Sequence, residues 1–298
     1  MGTKDLFVAD WIFTVSKGSG SQLGIHVARG DIRMSFLLRM LEEQPFRLLV
    51  RTLIKRLPLN VRTYERWDAV DRPHYLCGIL AAADLAKRSN IDSIYVVEFG
   101  VARGNGLLAM QEYAQMVEKE TGVGIKVAGF DTGSGLPPTR GDHRDHPDKW
   151  IEGDFPMDEK WLRARLSPGT ELILGDVRQT VPEFVERQRS PLGFLAMDLD
   201  LYSSTKQALE ILRLPKRQML RQVFLYFDDI IGTEYHRFAG ERLAIEDFNR
   251  ESQWVKIDHW YALCSRIFRD YAWIQQMYVA HDIANIGNYY EERDVELM

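Results

Sequence analysis

From residue 93 onward the chain alternates short β-like runs with helical stretches, and this alternation limits the folds open to it more than any other feature. The runs at 94–99, 125–130, 171–174, 194–197 and 223–227 are rich in β-branched and aromatic residues. Two more follow at 254–257 and 276–279. Apolar residues at helical spacing occupy 107–120, 180–188, 205–214 and 242–250 between them. Strands that alternate with helices build a mostly parallel sheet covered on both faces. The expected fold is α/β, a doubly wound sheet of seven strands. No clear helix separates the last two runs, so the last strand is expected to run antiparallel.

The first ninety residues read differently. Helical spacing appears at 34–40, 46–57 and 71–88, with Pro45 and Pro58 as breaks. The expected organisation is a helical region at 1–69, serving packing, oligomerisation or a lid, ahead of one domain at 70–298. Between Arg29 and Arg66 there are nine Arg or Lys and four Asp or Glu. This excess reads as solvated helix faces packed on the core or on a second subunit, making the chain a homo-oligomer. A docking surface for an acidic partner or a membrane-surface helix are the alternatives. The formal net charge is −5, so no global basic field points to nucleic acid. Two cysteines, Cys77 and Cys264, make no disulfide framework and suit a reducing, cytoplasmic compartment. No apolar run approaches the roughly 18–20 residues that cross a bilayer. Asp10 interrupts the first apolar stretch, which argues against a signal peptide, and Leu6 takes the place of the Ser or Thr that myristoylation needs.

The first chemical signal is the turn that closes the first strand of the alternating region, Glu98-Phe99-Gly100-Val101-Ala102-Arg103-Gly104-Asn105-Gly106. Gly100, Gly104 and Gly106 let a ligand approach the backbone, and the helix that follows offers unpaired N–H groups. Asp131 ends the next strand, where an acid can accept both hydroxyls of a ribose. Gly104-x-Gly106-x-x-Ala109 also satisfies a dinucleotide fingerprint, so a NAD-dependent enzyme is one reading. The set Glu98, Gly100, Gly104, Gly106 resembles motif I of class I S-adenosylmethionine-dependent methyltransferases. That resemblance implies that Glu98, Gly100, Gly104, Gly106 and Asp131 bind the cofactor, and that Asp176 and Val177, after the third strand, lie near its adenine.

The second signal is acidic. Asp198-Leu199-Asp200 closes the fourth strand of this series and Asp228-Asp229 closes the fifth. If those strands are neighbours, Asp198, Asp228 and Asp229 converge, and carboxylates so crowded need protons or a cation. Hard oxygens with no Cys or His nearby in sequence favour Mg²⁺, with Ca²⁺ or Mn²⁺ as alternatives. Structural pairing of Asp200 and helix capping by Asp229 are the plainer readings.

The run Asp-Leu-Asp-Leu-Tyr-Ser-Ser-Thr at 198–205, followed by Phe-Asp-Asp at 227–229, resembles the metal-dependent macrocin O-methyltransferase (TylF-like) family. The resemblance covers roughly 93–250. It implies a Rossmann-like methyltransferase domain, S-adenosylmethionine and Mg²⁺ as cofactors, Asp198, Asp228 and Asp229 as metal ligands, and Asp200 as general base. The implied acceptor is a hydroxyl of a small molecule, foremost a sugar or polyol. The segment 133–150 is rich in Gly, Pro and charge and reads as a lid. Arg140, Arg144 and Trp150 are its candidate substrate contacts, with His236 after the fifth strand. His143 and His146 with Asp142 and Asp145 read as a solvated or substrate-facing loop rather than as a metal set. Two rivals remain: a Mg²⁺-dependent phosphatase of the haloacid dehalogenase type, and a non-catalytic module that keeps the fold.

Overall fold

The computed structural model describes residues 41, 43–214 and 218–285, together with the backbone of strands at 4–8, 11–17 and 23–26. The candidate helix at 34–40 lies outside the described residues. Two compact units divide the chain: 1–73 with 262–271, and 74–261 with 272–298.

In the first unit β1 (Lys4–Val8), β2 (Trp11–Lys17) and β3 (Leu23–His26) form an antiparallel sheet, which the sequence reading did not assign. Helices α1 (Phe46–Ile54) and α2 (Val61–Arg66) follow. Asn60 caps α2 by accepting from Thr63 N at 2.8 Å. Arg266 ties the returning segment to this unit through ion pairs with Glu65 and Asp68.

The second unit is built on one seven-stranded sheet. After α3 (Pro73–Arg88) come β4 (Ser93–Phe99), α4 (Asn105–Thr121) and β5 (Gly124–Asp131). Then follow α5 (Glu159–Arg163), β6 (Thr170–Leu174), α6 (Val177–Arg187) and β7 (Leu192–Met197). Next come α7 (Tyr202–Ala208), β8 (Met219–Phe227), α8 (Gly240–Glu251), β9 (Val255–His259) and β10 (Met277–Asp282). The sheet order is β6-β5-β4-β7-β8-β10-β9. Strands β4 to β8 pair in parallel, and β10 runs antiparallel to both neighbours.

Counted from β4 the order is 3-2-1-4-5-7-6, the strand order of the Rossmann-like class I methyltransferase fold. The dinucleotide-binding fold runs 3-2-1-4-5-6 and has no strand inserted before its last. The expected mostly parallel sheet with an antiparallel last strand is therefore the one observed. Burial explains the strand compositions. Every residue of β7 is buried, as is every residue of β4 after Ser93, so both read as continuous apolar runs rather than alternating ones. Phe99, Phe130 and Phe184 stack within the core between sheet and α6. No helix among the described residues is long and apolar enough to cross a membrane.

Candidate active site

The strand order reverses between β4 and β7, where the chain's crossovers diverge to opposite sides and leave a crevice at the carboxyl ends of the strands. A cavity of about 970 Å³ occupies it. Gly100, Asp131, Asp176 and Val177 line one part, and Asp198, Asp200, Asp228 and Asp229 line the other. Arg140, Arg144 and Trp150 from the loop after β5 complete the wall.

Gly100 is required by a close approach. A Cβ there would lie 1.7 Å from the carbonyl oxygen of Asp198, and the residue has φ +86°. The turn it opens is closed by Asp131, whose Oδ2 accepts from Val101 N at 2.9 Å and Ala102 N at 2.8 Å. Asp131 Oδ1 accepts from Gly133 N at 2.6 Å. Asp176 caps α6 by accepting from Arg178 N at 2.9 Å. The bonded Arg178 guanidinium holds this carboxyl below the usual carboxylate range.

Glu98, Gly104 and Gly106 are not in the cavity wall. The Glu98 side chain is buried beneath the turn, where the Tyr75 hydroxyl donates to its Oε1 at 2.6 Å. Any Cβ on Gly106 would lie 1.7 Å from that same oxygen, so glycine is needed for the helix to start over the buried acid. At Gly104 the corresponding space is filled by Leu162. These residues shape the turn and the N-terminus of α4 from below, and Gly100 and Asp131 face the cavity.

The acidic residues do converge. Asp198, Asp228 and Asp229 each present a carboxylate oxygen within 4.8 Å of the others. β7 and β8 are adjacent and parallel with Met197 level with Phe227, so the two acid-bearing turns leave the sheet side by side. Asp200 is 8% exposed and lies beside Asp229. Burial, and then the charge of Asp229, push its carboxyl up to about 9. Burial also raises the Asp229 carboxyl. Tyr226 donates to Asp228 Oδ1, and Tyr235 donates to Asp229 Oδ1. No N–H or hydroxyl among the described residues donates to the buried Asp229 Oδ2. Three converging carboxylate oxygens, Asp200 beside them and an acceptor without a donor form a set that a hard divalent cation fits. Among the described residues no other group of three His, Cys, Asp or Glu side chains is arranged to hold a metal, so His143 and His146 form no such set.

The loop after β5 is anchored at three points. Asp145 is buried, and its Oδ1 accepts from Ser203 N at 2.7 Å, capping α7 from a distant part of the chain. Arg144 pairs with Asp142 at 2.7 Å, which brings that carboxyl down to about 2, and lies 4.6 Å over the Tyr202 ring. Lys149 donates to the Tyr235 hydroxyl, which links the loop to Asp229. His236 lies outside the cavity wall, exposed, with its ring 5.4 Å from that of His146.

Sequence reasoning did not single out Tyr226, Tyr235, Lys149 or Glu241, and it weighed Asp145 only beside the loop histidines. Tyr226 was within reach of it, because residues two apart on a strand share a face and Asp228 follows two residues later. The others depend on how a loop folds back, which no local period encodes.

No protein-family model and no curated protein matches the chain. Among solved structures it is similar to the calicheamicin methyltransferase CalS11, at 22% identity over 78% of this chain and 91% of that one, with a TM-score of 0.46. A second, apo structure of that protein, described as a TDP-rhamnose 3'-O-methyltransferase, matches at 20% identity over 75% and 87%, with a TM-score of 0.37. An O-methyltransferase from Bacillus cereus in complex with SAH matches at 12% identity over 75% and 87%, with a TM-score of 0.32.

Proposed function

We propose that this protein is an S-adenosylmethionine-dependent O-methyltransferase that uses a divalent cation, foremost Mg²⁺, and acts on a hydroxyl of a small molecule, foremost a sugar or polyol. In this reading 70–298 is the methyltransferase domain and 1–69 serves packing and oligomerisation. One observation carries the proposal. Three carboxylate oxygens within 4.8 Å of one another share a single cavity with Asp200, Gly100 and Asp131.

The chemistry asks for both halves. Transfer of a methyl group from a sulfonium is an in-line displacement in which the acceptor oxygen forms the new bond to carbon as the carbon–sulfur bond breaks. An alcohol is a poor nucleophile until its proton leaves. A cation held by Asp198, Asp228 and Asp229 would supply positive charge that stabilises the developing alkoxide. The same cation would offset the acidic neighbours that raise Asp200, leaving its carboxylate free to receive the proton. Gly100 would leave space for the cofactor against the backbone, Asp131 would accept from one ribose hydroxyl through the Oδ1 lone pair left over from the turn, and Asp176 and Val177 would border its base. Arg140, Arg144 and Trp150 face the acceptor from the loop and exclude water from the reacting oxygen.

The test joins binding and turnover. S-adenosylhomocysteine should titrate into the protein by calorimetry and NADH should not. Methyl transfer to a panel of sugars and polyols should stop in EDTA and return with Mg²⁺. Turnover indifferent to chelation would remove the cation from the proposal, and heat from NADH alone would remove the cofactor.

A further inference from the structure

Glu241 stands behind the acidic cluster, outside the cavity wall and outside both acidic runs. It stands in the first turn of α8, forty residues from the first acidic turn, and is 0% exposed. Its Oε2 accepts from Asp229 N at 2.9 Å, and its Oε1 lies 3.5 Å from Leu199 N, the amide between Asp198 and Asp200. One rigid carboxylate therefore spans the main chains of both acid-bearing turns. A buried carboxyl survives only where its partners return what water would have supplied, and here both partners are amides of the acidic turns.

We infer that Glu241 is the positioning residue of the acidic cluster: by bridging the Leu199 and Asp229 amides it fixes the separation of the two turns at which the Asp198, Asp228 and Asp229 oxygens converge. It touches neither acceptor nor cofactor and acts through the backbone of the residues that do. The inference rests on the cation-binding part of the proposed function.

Reach and acceptor capacity can be separated by two variants. Glu241→Asp keeps the carboxyl and removes one methylene, so it can no longer reach both amides. Glu241→Gln keeps the length, and it offers an NH₂ to one amide in place of an acceptor. The probe is Mn²⁺ titrated into the full-length, metal-free protein, with free Mn²⁺ read by electron paramagnetic resonance. Thermal melting and calorimetric titration with S-adenosylhomocysteine report whether each variant is folded. Glu241→Asp should weaken Mn²⁺ binding at least tenfold while affinity for S-adenosylhomocysteine stays within twofold. Glu241→Gln should weaken Mn²⁺ at least as much, and it answers the question if the Asp variant does not fold. Wild-type Mn²⁺ affinity in a folded Glu241→Asp would overturn the positioning role and leave the proposed function standing. A wild-type protein that binds no Mn²⁺ would overturn both.

Discussion

Asp200 holds a left-handed backbone conformation, φ +60°, that few residues other than glycine adopt. Such strain persists where the surroundings over-determine it and concentrates at functional sites. Here the neighbouring Asp198 amide is held by Phe99 O at 2.9 Å and Thr205 N bonds to Leu201 O at 3.0 Å, so the turn is pinned on both sides. The strain turns the second acid of the run back onto Asp229. Asparagine tolerates this conformation almost as well as aspartate does, and it makes a clean test of chemistry against fold. Asp200→Asn should leave the melting temperature and the affinity for S-adenosylhomocysteine unchanged while lowering turnover by about 10²–10⁴, the usual size of a general-base contribution. Paired melting curves, calorimetry and initial rates check this, and turnover within a few-fold of wild type would remove Asp200 from the reaction.

At the scale of elements, strands announce themselves and loops do not. The seven β-like runs coincide with β4 to β10 because a strand buried on both faces carries its own local mark, a short run of β-branched and aromatic side chains. The acids at the ends of β7 and β8 were legible for the same reason: once a strand is placed, whatever follows it lies at the carboxyl edge of the sheet. Glu98 was harder, since the side of a glycine turn that a residue faces depends on Tyr75 and Gly106, which reach it from other elements. The loop after β5 was legible only as a loop. What ties it down is Asp145 on the first amides of α7, a cap supplied by a remote residue because Leu201, at the N-cap position, has no side-chain oxygen. Loss of a cap costs about 0.5–2 kcal/mol, and each kcal/mol lowers the melting point of a domain this size by about 2–4 °C. Asp145→Ala should therefore melt a few degrees early. It should also raise the acceptor's KM more than it changes affinity for S-adenosylhomocysteine, since the freed loop carries Arg144 and Trp150 in the cavity wall. Differential scanning calorimetry and steady-state kinetics measure the two effects, and an unchanged KM would mean that the loop does not contact the acceptor.

On the scale of the whole molecule, the first unit presents a helix turned against the ordinary pattern. Arg47, 7% exposed in its side chain, points inward to pair with Asp270 at 2.5 Å and to donate to Ile267 O at 2.9 Å. Arg51 donates to Asp68 O at 2.8 Å, and both guanidinium groups lie over Phe268. With its cationic stripe inside, α1 shows solvent Phe46, Leu49 and Leu53, spaced as one face of a helix, with Leu49 65% and Leu53 59% exposed. An ion pair that has partly left water fixes the helix's rotation, because releasing it to turn the leucines inward would strand Asp270 and the Phe268 face. An apolar stripe held outward in this way marks an interaction surface. In the proposed reading its partner is a second copy of the chain, which presents the same stripe across a two-fold axis. A stable interface buries about 800 Å² on each partner, more than three side chains supply, and the exposed Leu48 and Leu57 add to it. Light scattering coupled to size exclusion should find a dimer or a higher symmetric species in wild type. Leu49→Glu combined with Leu53→Glu should convert it to a monomer that melts as a folded protein and still binds S-adenosylhomocysteine, since the cavity lies wholly within the second unit. A monomeric wild type, or an oligomer indifferent to both charges, would assign the stripe to another occupant.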